Sequence, residues 1–280
     1  MFKVKRINKE EVKPVKFIDE EDDKRPVRGR DIFPEIYANI FFCARKKSGK
    51  TCSIYHIIEK CSTKETRVIA FVSTLHRDPT WRAIKKMCEN KGIDFTGFTS
   101  LKEGKQDILQ DIVDTLENEI EIKGEDEEEE VQHGRGIVMP CEQEEEEESK
   151  PKKPKEKAPE IIFVFDDLSG QLSSPSIVEL LKKNRHFKTR VLISSQYWND
   201  IPLEGRGQIN YVLLFRGLSQ SKGKLEEIYR NLDLSVPFEV FLGIYKFCTS
   251  KQFNFMYIDV INTEFRKNFT HKIDLTDLDL

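Results

Sequence analysis

Residues 39–61 read NIFFCARKKSGKTCSIYHIIEKC, and this stretch decides the fold. Its first five residues form a short apolar run that predicts a β-strand, and residues 50–60 carry isoleucines at helical spacing. Between these two elements, residues 44–51 match the phosphate-binding pattern GxxxxGK[ST], except that Ala44 replaces the first glycine. A strand, a loop and a helix in this order are the context that a P-loop requires, so the sequence predicts a nucleotide-binding fold.

The chemistry of phosphate binding explains why these residue types are needed. Backbone N–H groups at a helix N-terminus would face the phosphates of ATP, and Gly49 permits their close approach. Lys50 is expected to be exposed in the loop and to reach the β- and γ-phosphates, while the Thr51 hydroxyl binds Mg²⁺. The alternative is a basic loop that only caps a helix. The predicted cofactor-binding residues are Ala44, Arg45, Lys46, Lys47, Ser48, Gly49, Lys50 and Thr51.

Two carboxylates follow a second apolar run. Residues 161–165 read IIFVF without alternation, which is typical of a central parallel strand that is buried on both faces. Asp166 and Asp167 come directly after it, where a parallel sheet presents its ligands. Asp166 is expected to hold Mg²⁺ as the Walker B residue, and Asp167 to orient and deprotonate the attacking water. An ordinary turn or helix cap is the structural alternative.

Three further polar residues are candidates for catalysis. Gln196 closes the next apolar strand and is expected to sense the γ-phosphate, because the same sheet edge carries Asp166. Arg185 lies in the turn before that strand, and Arg206 follows Pro202. Either arginine is a candidate arginine finger, although surface arginines are usually only solvated.

Alternating strands and helices predict an α/β fold, a P-loop NTPase three-layer sandwich with a mostly parallel central sheet and helices on both faces. The predicted strands are 39–43, 67–73, 93–98, 161–165, 190–195, 211–215 and 253–258. The predicted helices are 50–60, 79–90, one with its apolar stripe over 108–116, 176–183, 225–232 and 240–248.

Composition suggests how the chain is divided. The formal charge of −3 averages an acidic internal segment with basic flanks. Residues 1–35 are charge-dense and interrupted by prolines, so they are expected to form an extended arm with little core. An ATPase domain is predicted over 36–262, with a tail at 263–280. Within it, residues 121–159 are acidic and then rich in lysine and proline, which predicts a disordered insert, either a solvated loop or a binding segment.

Several classes of protein are disfavoured. The six cysteines form no CxxC pair and have no histidine cluster beside them, which argues against structural zinc and favours reduced thiols. The longest apolar runs are far shorter than the roughly 18 residues of a membrane span. A soluble, intracellular protein without membrane partners is therefore expected.

Taken together, the motifs resemble the FtsK–HerA superfamily, and within it the poxvirus-type genome-packaging ATPases of large DNA viruses, virophages and Maverick-like elements. The resemblance covers about residues 36–260, and it departs from the superfamily at Ala44 and at Asp167, where glutamate is frequent. The segments that carry it are the P-loop, 71–74 leading to Asp78 and Trp81, Asp166-Asp167, Asn184-Arg185-His186, 195–198 with Ile201-Pro202, and 210–215 with the following helix.

This resemblance implies a homo-oligomeric ring that grips double-stranded DNA and moves it into a capsid as ATP is hydrolysed. It also implies a capsid or portal protein as partner, and action in the host cytoplasm or nucleus where virions assemble. Two other functions stay open at this point. One is a cellular HerA-like or helicase-type DNA motor, and the other is an ATP-binding scaffold that hydrolyses little.

Overall fold

Strands and helices alternate along the residues that the computed structural model describes, which are 25–133, 156–168, 170–218 and 222–275. The strands are β1 Asn39–Cys43, β2 Arg67–Val72, β3 Asp94–Phe98, β4 Lys102–Glu103, β5 Gln106–Asp107, β6 Ile161–Asp166, β7 Thr189–Ser195, β8 Tyr211–Phe215, β9 Phe255–Asp259, β10 Glu264–Lys267 and β11 His271–Lys272. The helices are α1 Lys50–Cys61, α2 Pro79–Lys91, α3 Ile108–His133, α4 Pro175–Lys183, α5 Leu203–Arg206, α6 Lys222–Asn231 and α7 Phe238–Cys248, with a 3₁₀ turn at Trp198–Asp200.

Nine of the described strands form one sheet in the order β11-β10-β9-β8-β1-β7-β6-β2-β3. The strands from β8 to β3 are parallel to their neighbours. The strands β9, β10 and β11 add an antiparallel edge beside β8. Strands β1 and β6, which precede the P-loop and the two aspartates, are separated only by β7, so their carboxyl ends lie close together.

Helices cover both faces of this sheet and create two cores. Alternate residues of β1 show the division, because Phe41 packs into one core while Ile40 and Phe42 pack into the other. Helices α1 and α2 cover the second face, and α3, α4, α6 and α7 cover the first. All residues of β1 and β6 are buried, as expected for strands covered on both sides. The predicted α/β class with a mostly parallel sheet between two helical layers is confirmed.

The expectation of little core in the N-terminal arm is wrong for its last residues. Ile32 and Phe33 are buried, and the Phe33 ring lies 5.0 Å from the ring of Tyr211. The guanidinium of Arg190 lies over the Phe33 ring, 5.3 Å from its centroid. The many charged residues of this segment concealed two adjacent apolar residues, Ile32 and Phe33, that complete the core. Residues 1–24 lie outside the described residues.

The predicted boundary at residue 262 is also wrong. Strand β10 continues the sheet, and Phe265 within it is fully buried. Strand β11 pairs with β10 through Arg266 and Lys272. Short strands with charged exposed positions give a weak periodic signal, which explains why the sequence pattern suggested a tail.

The boundaries of the acidic insert change as well. Helix α3 continues to His133 and so includes the acidic block 125–130, since glutamate is a good helix former. At the other end, the Lys157 N–H donates to the carbonyl of Pro26 (2.9 Å), and the Thr66 hydroxyl donates to the carbonyl of Pro159 (3.0 Å). Residues at both ends of the predicted disordered segment are therefore ordered, and the second acidic block, 144–148, lies outside the described residues.

Candidate nucleotide-binding site

The loop between β1 and α1 has the backbone of an anion-binding loop. Lys47 and Gly49 adopt left-handed conformations, with φ of 60° and 95°. Gly49 is the N-cap of α1 and has no side chain to occupy the first N–H groups of the helix. The loop begins with the Ala44 N–H donating to the carbonyl of Ser195 (3.0 Å), which ties it to β7. Free N–H groups at a helix N-terminus favour a negatively charged ligand.

Lys50 joins this loop to both aspartates at the end of β6. Its Nζ donates to Asp166 Oδ1 (2.6 Å) and also to Asp167 Oδ1. The expectation that Lys50 is exposed in the loop is wrong, because only 7% of the residue is exposed and its charge is balanced by these carboxylates. The loop folds back over the sheet edge and so brings the Lys50 ammonium between the two carboxylates.

Trp81 completes the surroundings of Asp166. The indole Nε1–H donates to Asp166 Oδ2 (3.1 Å), so both carboxylate oxygens have partners. Asp166 is 1% exposed, and a buried carboxylate requires such partners. The sequence analysis identified Trp81 only through the family resemblance. Helical spacing indicates that it faces the core, but no local pattern indicates that its N–H meets a carboxylate 85 positions away.

Asp167 differs from its neighbour in conformation and exposure. Its φ is 56°, a left-handed value that aspartate tolerates better than most residues. The Ser73 hydroxyl donates to the Asp167 carbonyl (2.9 Å) and fixes this turn after β6. Its side chain is 31% exposed, so Asp167 is accessible to solvent whereas Asp166 is not.

The charge state of Lys50 follows from these contacts. Burial lowers the pKa of the Lys50 ammonium, but the charges and hydrogen bonds of Asp166 and Asp167 together outweigh it and raise that pKa above 10.5. Lys50 is therefore positively charged at neutral pH, and it neutralises part of the negative charge at the end of β6.

A cavity of about 540 Å³ opens over the loop. The residues that line it are Lys46, Lys47, Ser48, Gly49, Lys50, Thr51, Cys52, Asp78, Thr80, Asp167, Gln252 and Phe253. The Ser48 hydroxyl is buried without a partner among the described residues, which suits an incoming phosphate oxygen. Gln252 and Phe253 come from the turn before β9 and were missed by the sequence analysis, which placed Phe253 at the start of a strand.

These residues fit ATP and Mg²⁺ by their chemistry. The loop N–H groups and the orphaned Ser48 hydroxyl are donors for phosphate oxygens. Thr51 and Asp166 offer the hard oxygen ligands that Mg²⁺ prefers, and Mg²⁺ usually completes its shell with substrate phosphates and water.

Gln196 lies beside this site but lines a neighbouring cavity. That cavity has a volume of about 420 Å³ and also contains Arg45, Lys46 and Lys224. The Gln196 carbonyl accepts a long contact from the buried Cys43 thiol, with Sγ 3.8 Å from the oxygen. The structure thus places Gln196 across the P-loop from the cavity that holds Lys50 and Asp167.

The two candidate arginines have different surroundings. Arg185 lies in the turn before β7, at the amino edge of the sheet, and its side chain is 69% exposed with Nη2 3.5 Å from Glu35 Oε2. Arg206 is mostly buried, and its Nε donates to the carbonyl of Ile201 (2.7 Å). A contact to Asn231 also ties Arg206 to α6. Neither arginine lines the P-loop cavity of its own subunit.

Comparison with known proteins supports the resemblance inferred from the motifs. The sequence model of the family described as "Poxvirus A32 protein" matches residues 137–272. This region of the chain is similar to the poxvirus A32 protein. The matched region includes both aspartates, Gln196 and both candidate arginines, and it begins after the P-loop. The predicted resemblance to poxvirus-type packaging ATPases is confirmed.

Solved structures similar to this chain include genome-packaging NTPases. The packaging NTPase B204 of Sulfolobus turreted icosahedral virus 2 in complex with AMP has a TM-score of 0.50 and 14% sequence identity, over 83% of this chain and 96% of that one. The DNA-packaging ATPase B204 of Sulfolobus turreted icosahedral virus has a TM-score of 0.48 and 16% identity, over 82% and 95% of the two chains. No curated protein matches the sequence. Among the described residues, none of the helices has the length and apolar composition to span a membrane.

Proposed function

We propose that this chain is an ATPase that translocates double-stranded DNA and packages a viral genome into a capsid. The observation that carries this proposal is the meeting of Lys50 with Asp166 and Asp167 beneath an open P-loop. The similarity to the poxvirus A32 protein selects the packaging function from the many functions that share a P-loop.

Nucleotide binding must change the contacts that Lys50 makes with the two aspartates. The ammonium now pairs with two carboxylates, and a triphosphate entering the cavity offers it a higher density of negative charge. Lys50 is expected to move from both carboxylates to the β- and γ-phosphates, which also frees Asp166 Oδ1 to bind Mg²⁺. This exchange frees the Asp167 carboxylate at the moment when the substrate is in place.

The two aspartates then have separate tasks. Mg²⁺, held by Thr51 and Asp166, would supply charge neutralisation on the phosphate oxygens. Asp166 is fixed by Trp81 and buried, which suits a positioning role. Asp167 is solvent-accessible, so it is placed to orient a water molecule and accept its proton as the water oxygen attacks the γ-phosphorus. Gln196 would respond to the γ-phosphate indirectly, through the P-loop residues Arg45 and Lys46 that line its cavity.

An arginine from a neighbouring subunit would complete the site. Arg185 lies at the opposite edge of the sheet from its own P-loop, so it reaches a nucleotide only if subunits form a ring. Its exposure favours it over Arg206, whose guanidinium is committed to contacts within its own subunit. The proposed ring would hold DNA in its channel, dock on a capsid or portal protein, and act in the host compartment where virions assemble.

ATP turnover measured with and without double-stranded DNA tests the proposal. We expect hydrolysis that DNA accelerates and that requires Mg²⁺. ATP binding with negligible turnover under both conditions would instead identify a scaffold. Co-purification with a capsid or portal protein separates a packaging ATPase from a cellular DNA motor with the same site.

A further inference from the structure

Phe253 combines three features that packing alone does not explain. It is a large apolar side chain that is 58% exposed. Its φ is 66°, a left-handed value that is costly for a bulky residue without a local hydrogen-bonding side chain. It also lines the cavity over the P-loop. An exposed aromatic ring held in an unfavourable backbone conformation at a ligand cavity indicates a functional constraint.

The ring lies directly against the P-loop. Its Cδ1 atom is 3.3 Å from the position that a Cβ atom on Gly49 would occupy. Gly49 therefore meets two requirements, a φ of 95° and contact with this ring. More than half of the residue is exposed, which leaves surface of the ring for contact with a ligand in the cavity.

The turn that carries Phe253 is anchored through the two residues that follow it. The Asn254 N–H donates to the carbonyl of Lys251 (3.3 Å), and its side-chain oxygen accepts from Asn268 Nδ2 (3.2 Å). Asn268 Oδ1 in turn accepts from the Phe255 N–H (3.1 Å). Since the neighbouring residues are fixed to the C-terminal strands, the ring is presented in a defined position before any ligand arrives.

We propose that Phe253 is the stacking platform for the nucleobase of the bound nucleotide, an inference that rests on the proposed ATP-binding function. Aromatic rings stack on the π-face of any base, so this contact adds affinity with little discrimination among purines. In this arrangement the phosphates lie at the N-terminus of α1 and the base lies against Phe253, within the same cavity.

The test compares binding of ATP and of inorganic tripolyphosphate by calorimetry in the presence of Mg²⁺. In Phe253→Ala, ATP affinity is expected to fall about 10-fold, in the range of one lost base-stacking contact, with tripolyphosphate affinity unchanged. Phe253→Trp is expected to retain ATP binding. Phe247→Ala is the matched control, because Phe247 is equally exposed and its ring contacts Lys267.

Several outcomes would overturn the inference. One is wild-type affinity for ATP in Phe253→Ala, and another is equal affinity of the wild-type protein for ATP and tripolyphosphate. A parallel loss of both ligands in Phe253→Ala would show that the ring only supports Gly49. If the wild-type protein binds neither ligand, the proposed function fails and the inference fails with it.

Discussion

Replacing Lys50 by alanine tests whether the lysine proposed to act on the phosphates of ATP also stabilises the fold. The substitution leaves the Asp166 carboxylate buried with Trp81 as its remaining described partner. Removing one partner of a buried ion pair costs about 3–5 kcal/mol, because the other charge stays desolvated. For a domain of this size, about 2–4 °C is lost per kcal/mol, so we expect a melting temperature about 6–20 °C lower. ATP turnover should be abolished.

The measurement is thermal unfolding without nucleotide, followed by circular dichroism, beside an ATPase assay. The double variant Lys50→Ala/Asp166→Asn provides the control, since a neutral amide can still accept the hydrogen bond from Trp81 and removes the uncompensated charge. It should regain at least half of the lost thermal stability without regaining activity. A melting temperature of Lys50→Ala within about 2 °C of wild type would refute the reasoning, because such a shift corresponds to less than about 1 kcal/mol.

Three further predictions concern the site and the insert. Asp167→Asn should bind ATP with Mg²⁺ normally and lose hydrolysis, whereas Asp166→Asn should lose Mg²⁺-dependent affinity for ATP. An equal loss of ATP affinity in both variants, measured in a nucleotide-binding assay, would contradict this division. Replacing residues 134–155 by a short flexible linker should leave the melting temperature and the basal ATPase activity nearly unchanged, because few apolar residues are removed. A large drop in melting temperature would show that the segment packs against the domain. Arg185→Ala should lower turnover by on the order of 10³–10⁵, and mixing it with Asp167→Asn subunits should restore part of the activity. If rings shown to be mixed stay inactive, Arg185 does not act on the neighbouring subunit.

The fold was predictable where local pattern and tertiary environment agree. The apolar runs of β1 and β6 are buried on both faces, and the helix after the P-loop begins at Lys50 as predicted. The errors lie where single apolar residues are buried although the sequence around them is mostly charged. Phe33 is a core residue inside a charged arm, and Phe265 is a core residue in a short edge strand. Their burial depends on elements distant in sequence, which periodicity does not report.

The strand, loop and helix around residues 44–51 were likewise predictable, because these residues are contiguous and their order reflects one backbone geometry. Phe253 was not, since its proximity to Gly49 depends on how the α7–β9 turn folds back across the sheet edge. A strand-like composition at 253–258 also concealed its left-handed conformation, which local sequence does not encode.

The network around Asp166 links the proposed catalytic site to the stability of the sheet edge. Its partners Lys50 and Trp81 lie 116 and 85 positions away, so only the completed sheet brings them together. A buried carboxylate would be costly if either partner were absent, and each partner is therefore part of the folded state as well as of the site. A loss of activity in variants of these residues would therefore have two causes at once. Asp167 is the informative exception, because its side chain is partly exposed and its removal leaves the Lys50–Asp166 pair intact. A loss of turnover in Asp167→Asn with unchanged melting temperature would therefore isolate the chemical step from the stability of the sheet edge.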